Sequence, residues 1–176
     1  FRTGSPEMRA AIAREFGTAF EQIGFATIVG HGVDPGLIQR AYEGVSAFFA
    51  LPLEEKLAAT VSDRVKSRGY LPVGIESVAR TRNDAPPPDL CEALVFFGML
   101  QDPPDMRVGG RSTATGNVYP SRPVGLGPAL HDYFAAMHDL VATLMRLSAL
   151  ALGLPEGYFE PLYDRRRETL RSVLYP

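Results

Sequence analysis

Three histidines, one cysteine, the Arg68/Tyr70 pair and the Arg171/Tyr175 pair are the side chains here with chemical potential. His131 and His138 are seven residues apart, which on a helix puts them on one face but about 10.5 Å apart along the axis. A single metal with bonds near 2 Å cannot take both. They read as partly exposed helix histidines. His31 lies between Gly30 and Gly32 and reads as a hydrogen-bonded turn residue. Cys91 sits in an apolar run and reads as an inert core thiol. There is no Gly-x-Ser-x-Gly, no phosphate-binding glycine loop and no His-x-Asp. These residues cannot by themselves build a three-ligand metal site. Arg165-Arg166-Arg167 reads as a solvated charge run.

Two features have the logic of a pocket. Side chains alternate along a strand, so Arg171, Val173 and Tyr175 share one face of the closing β-rich run. An arginine among apolar strand neighbours is costly to bury unless it meets an anion. Either a substrate carboxylate, held by a bidentate bond, or an internal salt bridge satisfies it. The second feature is the irregular stretch at Ser67-Arg68-Gly69-Tyr70, which reads either as a pocket lip or as a plain surface loop.

The elements that must position these residues follow from periodicity. Ser5-Pro6-Glu7 is a helix start, and Ile12, Phe16, Phe20 and Ile23 continue it to about residue 23. Phe25 to Val29 is expected to be a short buried strand. Asp34-Pro35 opens a second helix to about Ala50, with Leu37, Ala41, Val45 and Phe48 inward. A short helix follows at 51–60. Residues 61–89 read as irregular, with Pro86-Pro87-Pro88 extended. Leu90 to Met99 is a strand apolar on both faces, so both should be covered. A Gly- and Pro-rich loop leads to the longest helix, 127–152, apolar on most of its circumference and expected to be buried among several elements. The final strand, 170–176, is expected to leave backbone groups unpaired.

The 176 residues carry 45% hydrophobic and 22% charged side chains, which excludes disorder. Net charge is −2, so nothing attracts nucleic acid or an anionic membrane. A single cysteine excludes an internal disulfide framework. No run of eighteen uncharged apolar residues occurs. The expectation is a cytoplasmic protein with a small-molecule ligand, no nucleic acid and no membrane partner.

An ordered set of motifs carries a family resemblance. It comprises Gly24-Phe25 with Gly30-His31-Gly32-Val33, Ala47 to Pro52 with Glu55-Lys56, and Arg68-Gly69-Tyr70 with Glu76-Ser77. Pro88-Asp89 with Glu92, Asn117-x-Tyr119-Pro120, Leu152-Gly153-Leu154 and Leu170-Arg171 to Tyr175-Pro176 complete it. The sequence resembles the N-terminal half of the isopenicillin N synthase-like iron(II)- and 2-oxoglutarate-dependent oxygenases.

That resemblance implies an α+β chain: the helical part of a double-stranded β-helix (jelly-roll) oxygenase with its barrel incomplete. Residues 1–167 would be the N-terminal dioxygenase region and 168–176 the start of the catalytic domain. It implies Fe(II), 2-oxoglutarate and dioxygen, with iron held by two histidines and a carboxylate. It places those ligands after Pro176, so no metal ligand and no catalytic residue is expected in 1–176, and this stretch alone is expected to be inactive. Arg171, Val173 and Tyr175 would line the mouth of the active site, touching 2-oxoglutarate or the substrate. Relatives often carry Asn at the position of Val173. Arg68 and Tyr70 would lie in a loop covering substrate. Glu76 and Glu92 would be structural, and His31 a signature without a metal. The expected reaction is hydroxylation, with desaturation or cyclisation as variants. The alternatives are an iron oxidase of the same fold that does not use 2-oxoglutarate and a non-catalytic helical interaction module.

Overall fold

A computed structural model describes residues 1–61, 68–75, 88–103, 107–112, 114–163 and 168–176. The expectations for Ser67, for Glu76-Ser77, for Pro86-Pro87 and for Arg165, Arg166 and Arg167 fall outside them. The chain divides into two compact units, 1–34 with 135–166, and 35–134 with 167–176. Strand 169–174 thus belongs with residues 35–134.

In the first unit, helix α1 (Pro6–Gln22) starts as the sequence dictates, with Ser5 accepting a hydrogen bond from the Met8 backbone and Pro6 at the first helical position. It packs on the later turns of α4 (Leu126–Ala151), where Gly17 lies against Ala151. Arg9 pairs with Glu156, and Arg146 with Glu160 at 2.9 Å, at the start of the short helix α5 (Glu160–Tyr163). The expected strand at 25–29 is absent. A strand exists only where a second one completes its ladder, and none among the described residues pairs with it. Phe25 and Val29 are 81% and 84% exposed. His31 is a turn residue, its Nδ1 accepting from the Val33 backbone at 3.1 Å.

The second unit is built on an antiparallel sheet in the order β1 (Gly69–Leu71), β2 (Glu92–Phe97), β5 (Thr169–Leu174). Helices α2 (Pro35–Phe49) and α3 (Leu53–Leu57) and the first turns of α4 cover one face. Phe48, Tyr70, Leu94, Phe96, Leu126 and Leu130 form its dense core. On the other face Leu71, Ala93 and Val95 bury together with Phe97 and Val173. β2 is therefore covered on both sides, as its unbroken apolar run requires. A small hairpin, β3 (Gly110–Arg111) and β4 (Val118–Tyr119), breaks the stretch expected to be loop throughout.

Two further expectations need correction, and that for the closing strand holds on its outer side. Residues 69–71 are a strand, since Gly69 at φ +70 lets the chain run against residue 59. A Cβ there would meet the Ala59 carbonyl at 2.4 Å, and that carbonyl accepts from the Tyr70 backbone. The closing strand β5 pairs with β2 from Glu92↔Leu174 to Phe97↔Thr169 and is the edge of the described sheet, so its outer side has no ladder there, as expected. Helix α4 is not buried on most of its circumference. Leu126, Leu130 and Phe134, one stripe at four-residue steps, are its covered face in this unit. Its best 18-residue window has a mean hydropathy of 1.2 with 17% of it buried, long and apolar enough to cross a membrane by length and composition. Its N-terminus is fixed by close approach: a Cβ on Gly127 would lie 1.3 Å from the Arg107 carbonyl oxygen.

Candidate functional site: a strand clamped at both ends

Strand β2 is gripped at each end by a buried carboxylate. At its first residue, Glu92 receives the Lys56 ammonium at 2.7 and 3.0 Å and the Tyr70 hydroxyl. Lys56 also donates to the Phe49 carbonyl at 3.1 Å, which ties α2, α3 and β2 together. Lys56 and Glu92 are both buried, and a pair so placed holds only because each charge satisfies the other. Burial, and then the neighbouring Glu92, push the Tyr70 hydroxyl well above the ordinary phenol range, so it stays a neutral donor.

At the last residue of β2 the clamp has a different chemistry. Asn117 accepts from the Phe97 backbone N–H at 3.0 Å and donates to the Phe97 carbonyl at 2.7 Å. Its amide also donates to Asp102 at 2.8 Å. Ser112, Thr115 and Tyr119 donate their hydroxyls to the same carboxylate. Burial pushes Asp102 upward, but the hydrogen bonds from Ser112, Thr115, Tyr119 and Asn117 together outweigh it and hold the carboxyl below the ordinary range. Tyr119 is raised by burial first and by Asp102 second.

Between the clamps, β2 positions β5. In register, Arg171 lies opposite Val95 and Val173 opposite Ala93, on the face turned away from the main core. Val173 joins the small apolar cluster there, while Arg171 is exposed and not unpartnered. The cost of burying an arginine therefore does not arise, because β5 is an edge strand. Tyr175, just past the strand, is 74% exposed. Arg171, Val173 and Tyr175 thus lie along one accessible edge.

Arg68 and Tyr70 do not join them. Tyr70 is 2% exposed, on the face of the main core. Arg68 is half-buried and donates to the Thr115 carbonyl, bracing the β3–β4 turn. The lip reading is replaced by a structural one. Glu92 is structural, as expected. Asp102, Ser112 and Thr115 have no signal in the sequence that singles them out. Asn117, Tyr119, Lys56 and Glu92 were visible as motif letters, but nothing in their spacing says that they converge.

No group of three or more His, Cys, Asp or Glu among the described residues could hold a metal ion. Among the described residues the two buried carboxylates, Glu92 and Asp102, are committed to the clamps. These described residues do not fit an iron centre.

The arrangement defines an α+β protein in which a helical layer supports a small, stiffened antiparallel sheet. The model of the family described as non-haem dioxygenase in morphine synthesis N-terminal matches residues 1–121. The chain belongs to that family, and with it to the 2-oxoglutarate/iron(II) oxygenases, whose cofactors are Fe(II), 2-oxoglutarate and dioxygen. Among curated relatives it is 31% identical over 142 residues to homoarginine-6-hydroxylase 2-ODD-233 of Oryza sativa subsp. japonica, covering 81% of this chain and 41% of that enzyme. It is 30% identical over 184 residues to the 2-oxoglutarate-dependent dioxygenase eupC of Phoma sp, covering 98% and 56%. A solved 2OG-Fe(II) oxygenase family protein of Caulobacter crescentus superimposes with a TM-score of 0.76 at 27% identity, covering 97% of this chain and 53% of that one. The chain spans about half the length of the curated relatives it matches.

Proposed function

We propose that this chain is the supporting wall of an iron(II)- and 2-oxoglutarate-dependent oxygenase of the isopenicillin N synthase-like branch, with β5 opening the jelly roll. The match over residues 1–121 carries this reading. The two clamps support it, since they brace β2 and so hold β5, the strand bearing Arg171, Val173 and Tyr175. On this reading Arg171 takes a carboxylate of 2-oxoglutarate or of the substrate through its planar fork. Val173 and Tyr175 supply apolar and aromatic contacts beside it. The substrate is a small organic molecule, the reaction is hydroxylation with desaturation or cyclisation as variants, and the compartment is the cytoplasm.

The test is turnover. A protein carrying this chain, supplied with Fe(II), ascorbate and 2-oxoglutarate, should release succinate and consume dioxygen in step with oxidation of a small organic acid or amine. Substrate oxidation that needs iron and dioxygen but not 2-oxoglutarate moves the protein to the oxidases of the same fold. No oxidation across a broad panel, with iron bound, returns it to the interaction modules.

A further inference from the structure

Helix α3 and the β3–β4 hairpin line a cleft of about 460 Å³. That volume is in the range of small-molecule sites. Its floor is apolar, made by Leu51, Ala58, Ala59, Val118, Tyr119 and Pro120. Its rim is charged, with Arg111, Arg122 and Glu55. Arg111 pairs with Val118 across the hairpin, and directly opposed residues stand on the same side. Val118 and Arg111 both line the cleft, so Arg111 stands on the cleft side.

The charges do not cancel. Arg122 gives one nitrogen to Glu55 at 3.0 Å and keeps further N–H donors. Arg111 has no hydrogen bond or ion pair among the described residues, so one cation in the rim is left uncompensated. We propose that this cleft binds a small organic acid, its carboxylate held between Arg111 and Arg122 and its apolar body laid on the floor. Glu55 competes for Arg122 and repels the ligand, which sets the affinity low. The site draws on none of the residues assigned to the oxygenase pocket and stands or falls separately from it.

Phenylacetate is a suitable probe, titrated into the protein carrying this chain by calorimetry or ligand-observed NMR. Saturable binding with a Kd on the order of millimolar is expected for so small a ligand. Arg111→Gln, at an exposed position, should keep the melting temperature and weaken binding by roughly tenfold or more. Arg122→Gln should weaken it as well. Glu55→Gln should act in the opposite direction and tighten binding by about two- to threefold. The neutral analogue 2-phenylethanol should not compete. The proposal is overturned if phenylacetate does not saturate in the millimolar range, if Arg111→Gln binds like the parent, or if Glu55→Gln weakens binding. Equal binding of 2-phenylethanol removes the carboxylate from it, and equal binding of inorganic phosphate removes the apolar floor.

Discussion

The two ends of β2 hold a buried carboxylate by opposite means. At Glu92 a single cation from a distant helix neutralises the charge, 36 residues away in sequence. At Phe97 the carboxylate of Asp102 stays ionised inside a cage of neutral donors, all within 10 to 17 residues of it. The first device is non-local and ionic, and the second is local and made by the hairpin's own side chains. An ion pair can be exchanged as a unit for apolar groups, because its two charges neutralise each other and only the Tyr70 hydroxyl and the Phe49 carbonyl lose a partner. A cage cannot, because its donors come from four residues that also shape the turn. The strand that carries Arg171 is thus registered at one end by tertiary packing and at the other by local folding.

The sharpest way to break the comparison is at the ionic end. Lys56→Met strands a buried carboxylate and should cost about 4 kcal/mol in urea unfolding. The double variant Lys56→Met/Glu92→Leu should recover most of that loss. If it does not, the pair is part of a cage as well, and the distinction fails. Asp102→Ala should cost about 3 kcal/mol by leaving several donors without an acceptor. Here no single second change should rescue it. Tyr70→Phe and Tyr119→Phe each remove one donor to a charged acceptor and should cost about 1.5 kcal/mol.

Proton linkage separates the ends further. Asp102 titrates below the ordinary carboxylate range, so the stability it contributes is in place above the unfolded value and is lost as pH falls through the folded one. Tyr70 and Tyr119 titrate above the ordinary phenol range, so their contribution is in place below the unfolded value and is lost as pH climbs beyond it. Asp102→Asn should flatten the acid limb of a stability–pH curve and leave the alkaline limb. A smaller effect comes from His131, held low by burial and then by Arg107; stability should decline as pH drops below its unfolded value.

Much of the helical layer was legible because its signals are local. Ser5-Pro6 starts α1, Pro35 opens α2, and the apolar spacing of α4 marks its length. The strands were less legible. Glu92–Phe97 declares itself by an unbroken apolar run, but Gly69–Leu71 is three residues long and depends on the Ala59 carbonyl, which no window around residue 70 contains. Phe25 to Val29 has β-rich letters and no ladder, so propensity there lacked the partner that turns it into structure. The same division holds at the site. Alternation placed Arg171 and Val173 on one face correctly. It could not reveal that Lys56 reaches Glu92, or that Asp102 gathers four donors, because convergence across a turn leaves no periodic trace.

The measurement that bears most directly on the central claim, that clamped β2 presents Arg171 on β5 to a carboxylate ligand, is steady-state turnover of Arg171→Ala in the protein carrying this chain. The KM for 2-oxoglutarate or for a carboxylate substrate should rise by about tenfold, with an unchanged melting temperature. An unchanged KM for both would contradict the claim and leave Arg171 as one half of an internal salt bridge.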